Sequence, residues 1–315
     1  MIEVSQQPTI TALKASYKDF QDRAGKIPRP HLGASVIGDT CQRKIFYSFR
    51  WATPRLIEFK GHAAINDGHR GEIIVAEMLR ATPNIQLWTV DPSDPQKQIG
   101  FLDRHFGGSL DGVIKGLQEA PVTPHVWENK VVNETKFKKL DALRLSDEKS
   151  ALENWDENYY GQAQVLMKHL HLSRHFLTVA TPGVRDIISV RTDYNPVVAE
   201  RLTAVAHKLS TDDDAPPRIS ARADWYECKF CNHSDVCHNG AHPQRNCRTC
   251  ARVTPMADGT WVCSIQSKTL TFDDQVKGCE NHRFNPSMLK DEFEKLEDDM
   301  VFYKSGFVDS GVEQA

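Results

Sequence analysis

The sequence predicts an α/β protein with a mixed central sheet and a small cysteine-rich module behind it. Three observations lead there. Helix-like and strand-like segments follow one another in the order α-α-α-β-β-β-β-α-β-β-α, which interleaves the two kinds. The chain has 315 residues, 40% hydrophobic and 26% charged, enough for one large globular domain or two modest ones. Seven of its eight cysteines lie between Cys228 and Cys279. In a reducing compartment such clustering indicates metal ligation more than disulfides. A net charge of −3 excludes a generally basic nucleic-acid coat, so any such role falls on the local patches "CQRKIFYSFR" (41–50) and "KFKK" (136–139). Each patch also reads as ordinary solvated surface. No apolar run reaches the roughly 18 residues of a membrane span. The first twenty residues lack a signal-peptide layout, so the expected location is cytoplasmic, with no membrane partner.

The elements follow in order. Residues 9–23 form an amphipathic helix. Ser35 is placed to N-cap a second helix running through "VIGDTCQRKIFYSF". Residues 65–81 form a third, with Ile73, Ile74, Ala76, Met78 and Leu79 as its apolar face. "IQLWTV" (85–90) is a strand, and residues 98–117 form strands meeting at a tight bend at Gly107-Gly108. "HVWENKVVN" (125–133) is the next strand and 158–172 a helix. "HFLTVAT" and "DIISVRT" are strands separated by the turn signal "PGVR", and 196–209 is a closing helix. "STDDDAPPRIS" reads as a polar linker. The cysteine-rich segment and an acidic helix, "DEFEKLEDDMVFYKSG", complete the chain.

Within this frame a few charged side chains occupy unusual places. Glu128 and Lys130 are two apart on one strand and so share a face. Asp111 lies in the preceding apolar strand, "GSLDGVI", and His69 on the third helix. A carboxylate among apolar residues is costly unless its charge is compensated. Two on adjacent strands repel, and a divalent cation removes both problems. Carboxylates, one imidazole and water suit Mg2+ or Mn2+. Alone, the E-x-K pattern is most simply a surface ion pair. With Asp111 and His69 it reads as a metal-dependent phosphodiester-hydrolysing site, in which Lys130 orients water or stabilises growing negative charge.

The segments "GHRGEIIVAEML", "GGSLDGVI", "WENK" and "YYGQAQVLM", in that order, resemble the PD-(D/E)XK nuclease superfamily in its RecB-like branch. The resemblance implies a restriction-endonuclease-like core. In it His69, Asp111, Glu128 and the backbone carbonyl of Asn129 bind metal, Lys130 is the catalytic lysine, and Gln162 with Tyr159 or Tyr160 positions the lysine, water or DNA backbone. Gln164 is rotated about 200° from Gln162 on a helix, so one of the two faces the site. Asn129 departs from the apolar residue many relatives carry between the Glu and the Lys.

The cysteines fall into two sets. Cys228-x2-Cys231-x5-Cys237 leaves a four-thiolate site one ligand short, and Cys41 is the one cysteine upstream. Four thiolates suit Zn2+ or a [4Fe–4S] cluster, and spacing does not choose between them. An upstream cysteine in "CQRKIF" with this trio is similar to the iron-staple nucleases, which include the AddB nuclease domain and the CRISPR-associated RecB-like exonucleases (the fourth Cas protein family). That resemblance, over about residues 33–240, implies a structural [4Fe–4S] cluster on Cys41, Cys228, Cys231 and Cys237, with a DNA-binding surface near Arg43 and Lys44. Lys136 and Lys138 of the second basic patch are further DNA-contact candidates. The remaining four, Cys247-x2-Cys250-x12-Cys263-x15-Cys279, have a zinc-ribbon-like layout for Zn2+, with His282 as the alternative fourth ligand.

The expected organisation is a nuclease core over 1–240, a zinc-ribbon-like module over 241–285 and an acidic helix and tail over 286–315. The resemblance implies a Mg2+- or Mn2+-dependent exonuclease acting on single-stranded DNA or DNA ends, in recombination, repair or phage DNA metabolism. In a phage setting the expected compartment is the host cytoplasm. Recombination or adaptation proteins are the candidate partners. Two other readings stand beside it: an adaptation nuclease trimming spacers with integrase subunits, and a non-catalytic DNA-binding accessory. A zinc-ribbon regulator would leave His69, Asp111, Glu128 and Lys130 without a role.

Overall fold

The computed structural model describes residues 7–24, 28–54, 57–89, 100–290 and 293–311. Val90 and residues 98–99 of the expected strands lie outside them. The chain opens with helix α1 (Pro8–Ala24), strand β1 (Leu32–Gly33) and a 3-10 turn (Ala34–Val36). Helices α2 (Gln42–Phe49) and α3 (Phe59–Ala81) follow. The break between the 3-10 turn and α2 corrects the expected Ser35 cap. Cys41 is the N-cap of α2, and its backbone N–H is taken up by Asp39 Oδ1 at 2.9 Å.

Strands β2 (Gln86–Thr89), β3 (Gly100–Asp103), β4 (Phe106–Ser109), β5 (Gly112–Lys115) and β6 (His125–Val131) come next. The bend expected at Gly107-Gly108 falls instead at Asp103–Phe106, where Arg104 has a φ of 59°. The two glycines are paired strand residues. Helices α4 (Glu134–Ser146), α5 (Glu148–Trp155) and α6 (Glu157–His169) lead to β7 (Arg174–Ala180), β8 (Ile187–Asp193) and α7 (Pro196–Thr211). Asn133, Asp147, Asp156 and Asn195 cap α4 to α7 through their side chains, each satisfying N–H groups that the helix itself leaves unpaired.

The central sheet has the order β2-β5-β6-β7-β8. Only β6 and β7 run parallel; their neighbours pair antiparallel. Parallel neighbours need a crossover, supplied here by α4, α5 and α6 together. The fold is thus α/β with a mixed central sheet. β6 is its buried centre: Val126 and Trp127 are fully buried, and a buried aromatic or branched side chain contributes about 1.5–3 kcal/mol. Trp127 Nε1 donates to Thr178 Oγ1 at 3.0 Å, so its polar edge is satisfied.

Helix α3 crosses this sheet at close range. A Cβ on Gly71 would stand 2.3 Å from Val131 Cγ2, a distance that only glycine permits. The inward face is therefore Gly71, Val75 and Ala76, with Leu79 at its edge. Ile73, Ile74 and Met78, expected in the core, are exposed; the contact at Gly71 sets the rotation of the helix, and these three point away.

Beyond α7, residues 212–225 carry no helix or strand, as a linker should, but are held: Arg50 donates to Asp212 O at 2.6 Å and Ser287 Oγ accepts from Ala215 N at 2.9 Å. Short helices α8 (Tyr226–Lys229) and α9 (Ser234–His238) carry the first cysteine group. The second sits on a 3-10 turn (Cys247–Thr249), strands β9 (Val253–Pro255), β10 (Trp261–Cys263) and β11 (Lys268–Thr269), and helix α10 (Phe272–Lys277). Cys247, Cys250, Val253 and Trp261 share one core cluster with Phe46, Phe49 and Leu202, so this segment is continuous with the core around α2 and α7.

The expected acidic C-terminal helix is a correction. Residues 293–309 form three strands, β12 (Phe293–Glu297), β13 (Met300–Tyr303) and β14 (Val308–Asp309). Asp298 and Asp299 both take positive φ, 48° and 65°, the geometry of a two-residue hairpin turn. Val301 and Tyr303 alternate inward.

Candidate active site

The register of β5 and β6 brings the charged residues together. Gly112 pairs with Trp127, so one further antiparallel step sets Asp111 opposite Glu128. Asp111 stands just before β5 rather than within it, a small correction to its expected place in the strand. Its Oδ2 accepts the Asn129 backbone N–H at 2.7 Å, which fixes the carboxylate against β6. Lys130 Nζ donates to Glu128 Oε2 at 2.6 Å, and Gln162 Nε2 donates to the same oxygen at 3.2 Å. The other oxygen, Glu128 Oε1, is buried without a partner. Tyr159 lies beneath the ammonium, with Lys130 Nζ 5.5 Å from its ring centre, and packs on Trp155.

Burial pushes the Glu128 carboxyl upward against the pull of Lys130, and the nearby Asp111 pushes the same way. The Lys130 ammonium is raised above its ordinary value: burial opposes the charge, but Glu128 and Asp111 together outweigh it. The two carboxylates thus favour the ammonium form of Lys130.

Gln162 and Gln164 part as helical geometry requires. Gln164 faces the other way, donating to Asp193 O at 3.0 Å and accepting from Asn195 N at 2.7 Å. Tyr160 is buried beside the same α7 cap. The Asn129 side chain accepts from Thr178 Oγ1 at 2.9 Å.

Helix α3 contributes a residue that sequence reasoning missed. His69 is exposed, and among the described residues no hydrogen bond ties it to the carboxylates. Glu72, three residues on, is half-buried, and its carboxyl is pushed up to about 7, by burial first and then by Asp111, with Lys130 opposing. The signal lay in the same "GHRGE" stretch, one turn further along the face that approaches β6. Three carboxyls, Glu72, Asp111 and Glu128, thus surround one ammonium. That surplus of negative charge and the unpartnered Oε1 suit a divalent cation with oxygen ligands.

Of the basic residues expected at DNA, Arg43 is a correction. It is buried, and its guanidinium donates to Tyr47 Oη (2.9 Å), Pro216 O (2.8 Å) and Ser287 O (2.8 Å). A side chain so fully used inside holds the C-terminal segment to α2. Lys44 is half-exposed and paired with Asp39 at 2.5 Å. Lys136 and Lys138 are exposed on α4, near Asp156 and Glu134.

Cys41, Cys228, Cys231 and Cys237 line one cleft of about 620 Å3, which continues to Trp155 at the end of α5 and Asn158 at the start of α6. Thr40 Oγ1 donates to Glu227 Oε2 at 3.2 Å, linking the Cys41 turn to the later cysteine loop. Cys247, Cys250, Cys263 and Cys279 line a second cavity of about 90 Å3 together with His282. The sulfurs stand around these spaces: among the described residues, no three His, Cys, Asp or Glu side chains converge to hold a metal ion as placed. No described helix is long and apolar enough to cross a membrane.

No protein-family model matches the chain, and no curated protein matches it. Solved structures that match it include an alkaline exonuclease, LHK-Exo from Laribacter hongkongensis, at 13% identity and a TM-score of 0.40, covering 60% of this chain and 90% of that one. The same exonuclease in complex with dAMP gives 12% and 0.38 over 60% and 90%. SSO0001 gives 15% and 0.42 over 74% and 98%.

Proposed function

We propose that the chain is a Mg2+- or Mn2+-dependent DNA nuclease, an exonuclease acting on single strands or DNA ends. The observation that carries the hydrolytic reading is the Glu128–Lys130 pair, 2.6 Å apart, with a buried, unpartnered Glu128 oxygen and Asp111 locked to the backbone between them. The preference for DNA ends rests on the motif resemblance.

Asp111 and Glu128 would hold the cation, with His69 or Glu72 of α3 and the Asn129 carbonyl as further ligands. When bound, it would neutralise phosphate charge and make water more acidic. Lys130 keeps its proton, so it donates: it orients the attacking water and stabilises charge growing on the phosphate oxygens. Gln162 holds Glu128 in place, and Tyr159 restricts where the ammonium can swing. Cys41, Cys228, Cys231 and Cys237 would hold a [4Fe–4S] cluster. Their shared cleft and the Thr40–Glu227 link support a role in fastening the start of the core to its end.

The test is digestion of end-labelled single-stranded and duplex DNA by purified Asp111→Ala and Lys130→Ala variants. Cleavage should fall by at least about 10²–10³-fold, the scale of losing one transition-state charge partner, with iron content and thermal unfolding kept. Wild-type cleavage by either variant overturns the site. DNA binding by the wild type without cleavage in Mg2+ or Mn2+ would favour a non-catalytic accessory instead.

A further inference from the structure

The second cysteine group is built into the core, and the residue that joins it there lies between two of the cysteines. Arg248, inside the Cys247–Cys250 turn, is 1% exposed. Its guanidinium donates to Phe49 O (3.0 Å) and Pro30 O (2.7 Å), and to Gln275 Oε1 at 2.9 Å. It lies 3.7 Å from the Trp51 ring centre and 4.7 Å from that of Trp261. In return Arg50, the C-cap of α2, donates to Arg248 O at 3.2 Å. The turn and the end of α2 clasp each other through two buried arginines.

A buried guanidinium is tolerated only while its acceptors stay in place. Two of the three Arg248 acceptors are backbone carbonyls of other segments, so the turn must be held rigidly against them. Its local support is the Asn246–Thr249 capping box. The same turn brings Cys247 and Cys250 to the cavity of about 90 Å3 that Cys263 and Cys279 also line, so all four thiols border one space. A tetrahedral four-thiolate set is the usual structural zinc site. His282 lines the same cavity, with Nε2 3.1 Å from Thr249 Oγ1 and a buried, unpartnered Nδ1.

We propose that Cys247, Cys250, Cys263 and Cys279 form a structural zinc site that holds Arg248 against the end of α2, so that zinc locks the core around α2 rather than folding a separate module. His282 supports the site from behind Thr249. Nothing here depends on cleavage.

The test uses the full chain. Zinc and iron are measured together, and amide exchange is followed over residues 42–50. About one zinc per chain is expected. Arg248→Met should keep zinc and iron yet raise exchange over 42–50 by at least about tenfold. Cys279→Ser should lose zinc and raise the same exchange, with Zn2+ alone restoring it in the chelator-treated wild type. His282→Asn should keep zinc. Because Cys263 is buried, Cys263→Ser can fail to fold, and Arg248→Met carries the test independently. Absence of zinc overturns the proposal. So does unchanged exchange in Arg248→Met, or exchange that rises only when iron is lost. Zinc lost from His282→Asn but kept in Cys279→Ser overturns the ligand set.

Discussion

The two cysteine quartets share an x2 spacing but are presented differently by the fold. Cys41, Cys231 and Cys237 are half-buried and only Cys228 is buried; they face a wide cleft bordered by charged side chains such as Asp39, Lys44 and Glu227. In the other quartet Cys247, Cys250 and Cys263 are buried, Cys279 alone is exposed, and the enclosed volume is about one-seventh as large by comparison of roughly 90 with 620 Å3. A roomy cleft between distant segments suits a polyatomic cluster, and a tight cavity within one segment suits a single ion. The sulfur spacing alone does not distinguish them; the surroundings do.

The sharpest way to break this comparison is to remove one thiol from each quartet and count metals after anaerobic purification. Cys41→Ser should take iron and sulfide from about four per chain to near zero while leaving zinc at about one. Cys279→Ser should do the reverse. Zinc in both quartets of the wild type, or iron persisting in Cys41→Ser, removes the distinction. A joint loss of both metals in Cys41→Ser would place the lock on the Cys41 side of α2 instead.

What could be read in advance follows the range of the forces involved. Glu128, Lys130 and Gln162 were legible because strand alternation and helical rotation are local rules, and both hold here. The rotation of α3 was not. It is set by the contact of Gly71 with Val131, residues far apart in sequence, and that contact turns Glu72 toward the site and Ile73 away. Arg43 looked like a surface cation because its burial depends on carbonyls of Pro216 and Ser287, from the other end of the chain. The C-terminal strands were legible but overlooked. The many acidic residues read as a helix, yet Val301 and Tyr303 alternate inward and a paired Asp298-Asp299 makes a turn. Helices α4 and α5 carried their own cap signals in Asn133 and Asp147.

The smallest effect sharpens the comparison by setting the pH range in which it should be made. Burial lowers His175 to about 3 and His105 to about 4, and each has a ring nitrogen buried without a partner. Neither is a cysteine-quartet residue. Both folded values lie below the ordinary histidine value near 6.5, so the unfolded chain binds these protons first. Their stabilising contribution is complete above about pH 6.5 and is lost as pH falls toward 4. The expected slope is about 1–3 kcal/mol per pH unit for the two together. Glu72 and Glu128, raised by burial, oppose the histidines over the same range. The measurement is therefore the difference in urea midpoint between the wild type and His175→Gln from pH 7.5 to 5. The wild type should lose ground to the variant as pH falls, and a difference independent of pH would remove this histidine as a cause. Metal retention that differs between the quartets above pH 6.5 then reports on their cavities, because there the histidine contribution is constant. A difference that appears only below it includes the protonation of His233 and His282, which line the two cavities and are likewise lowered by burial to about 4.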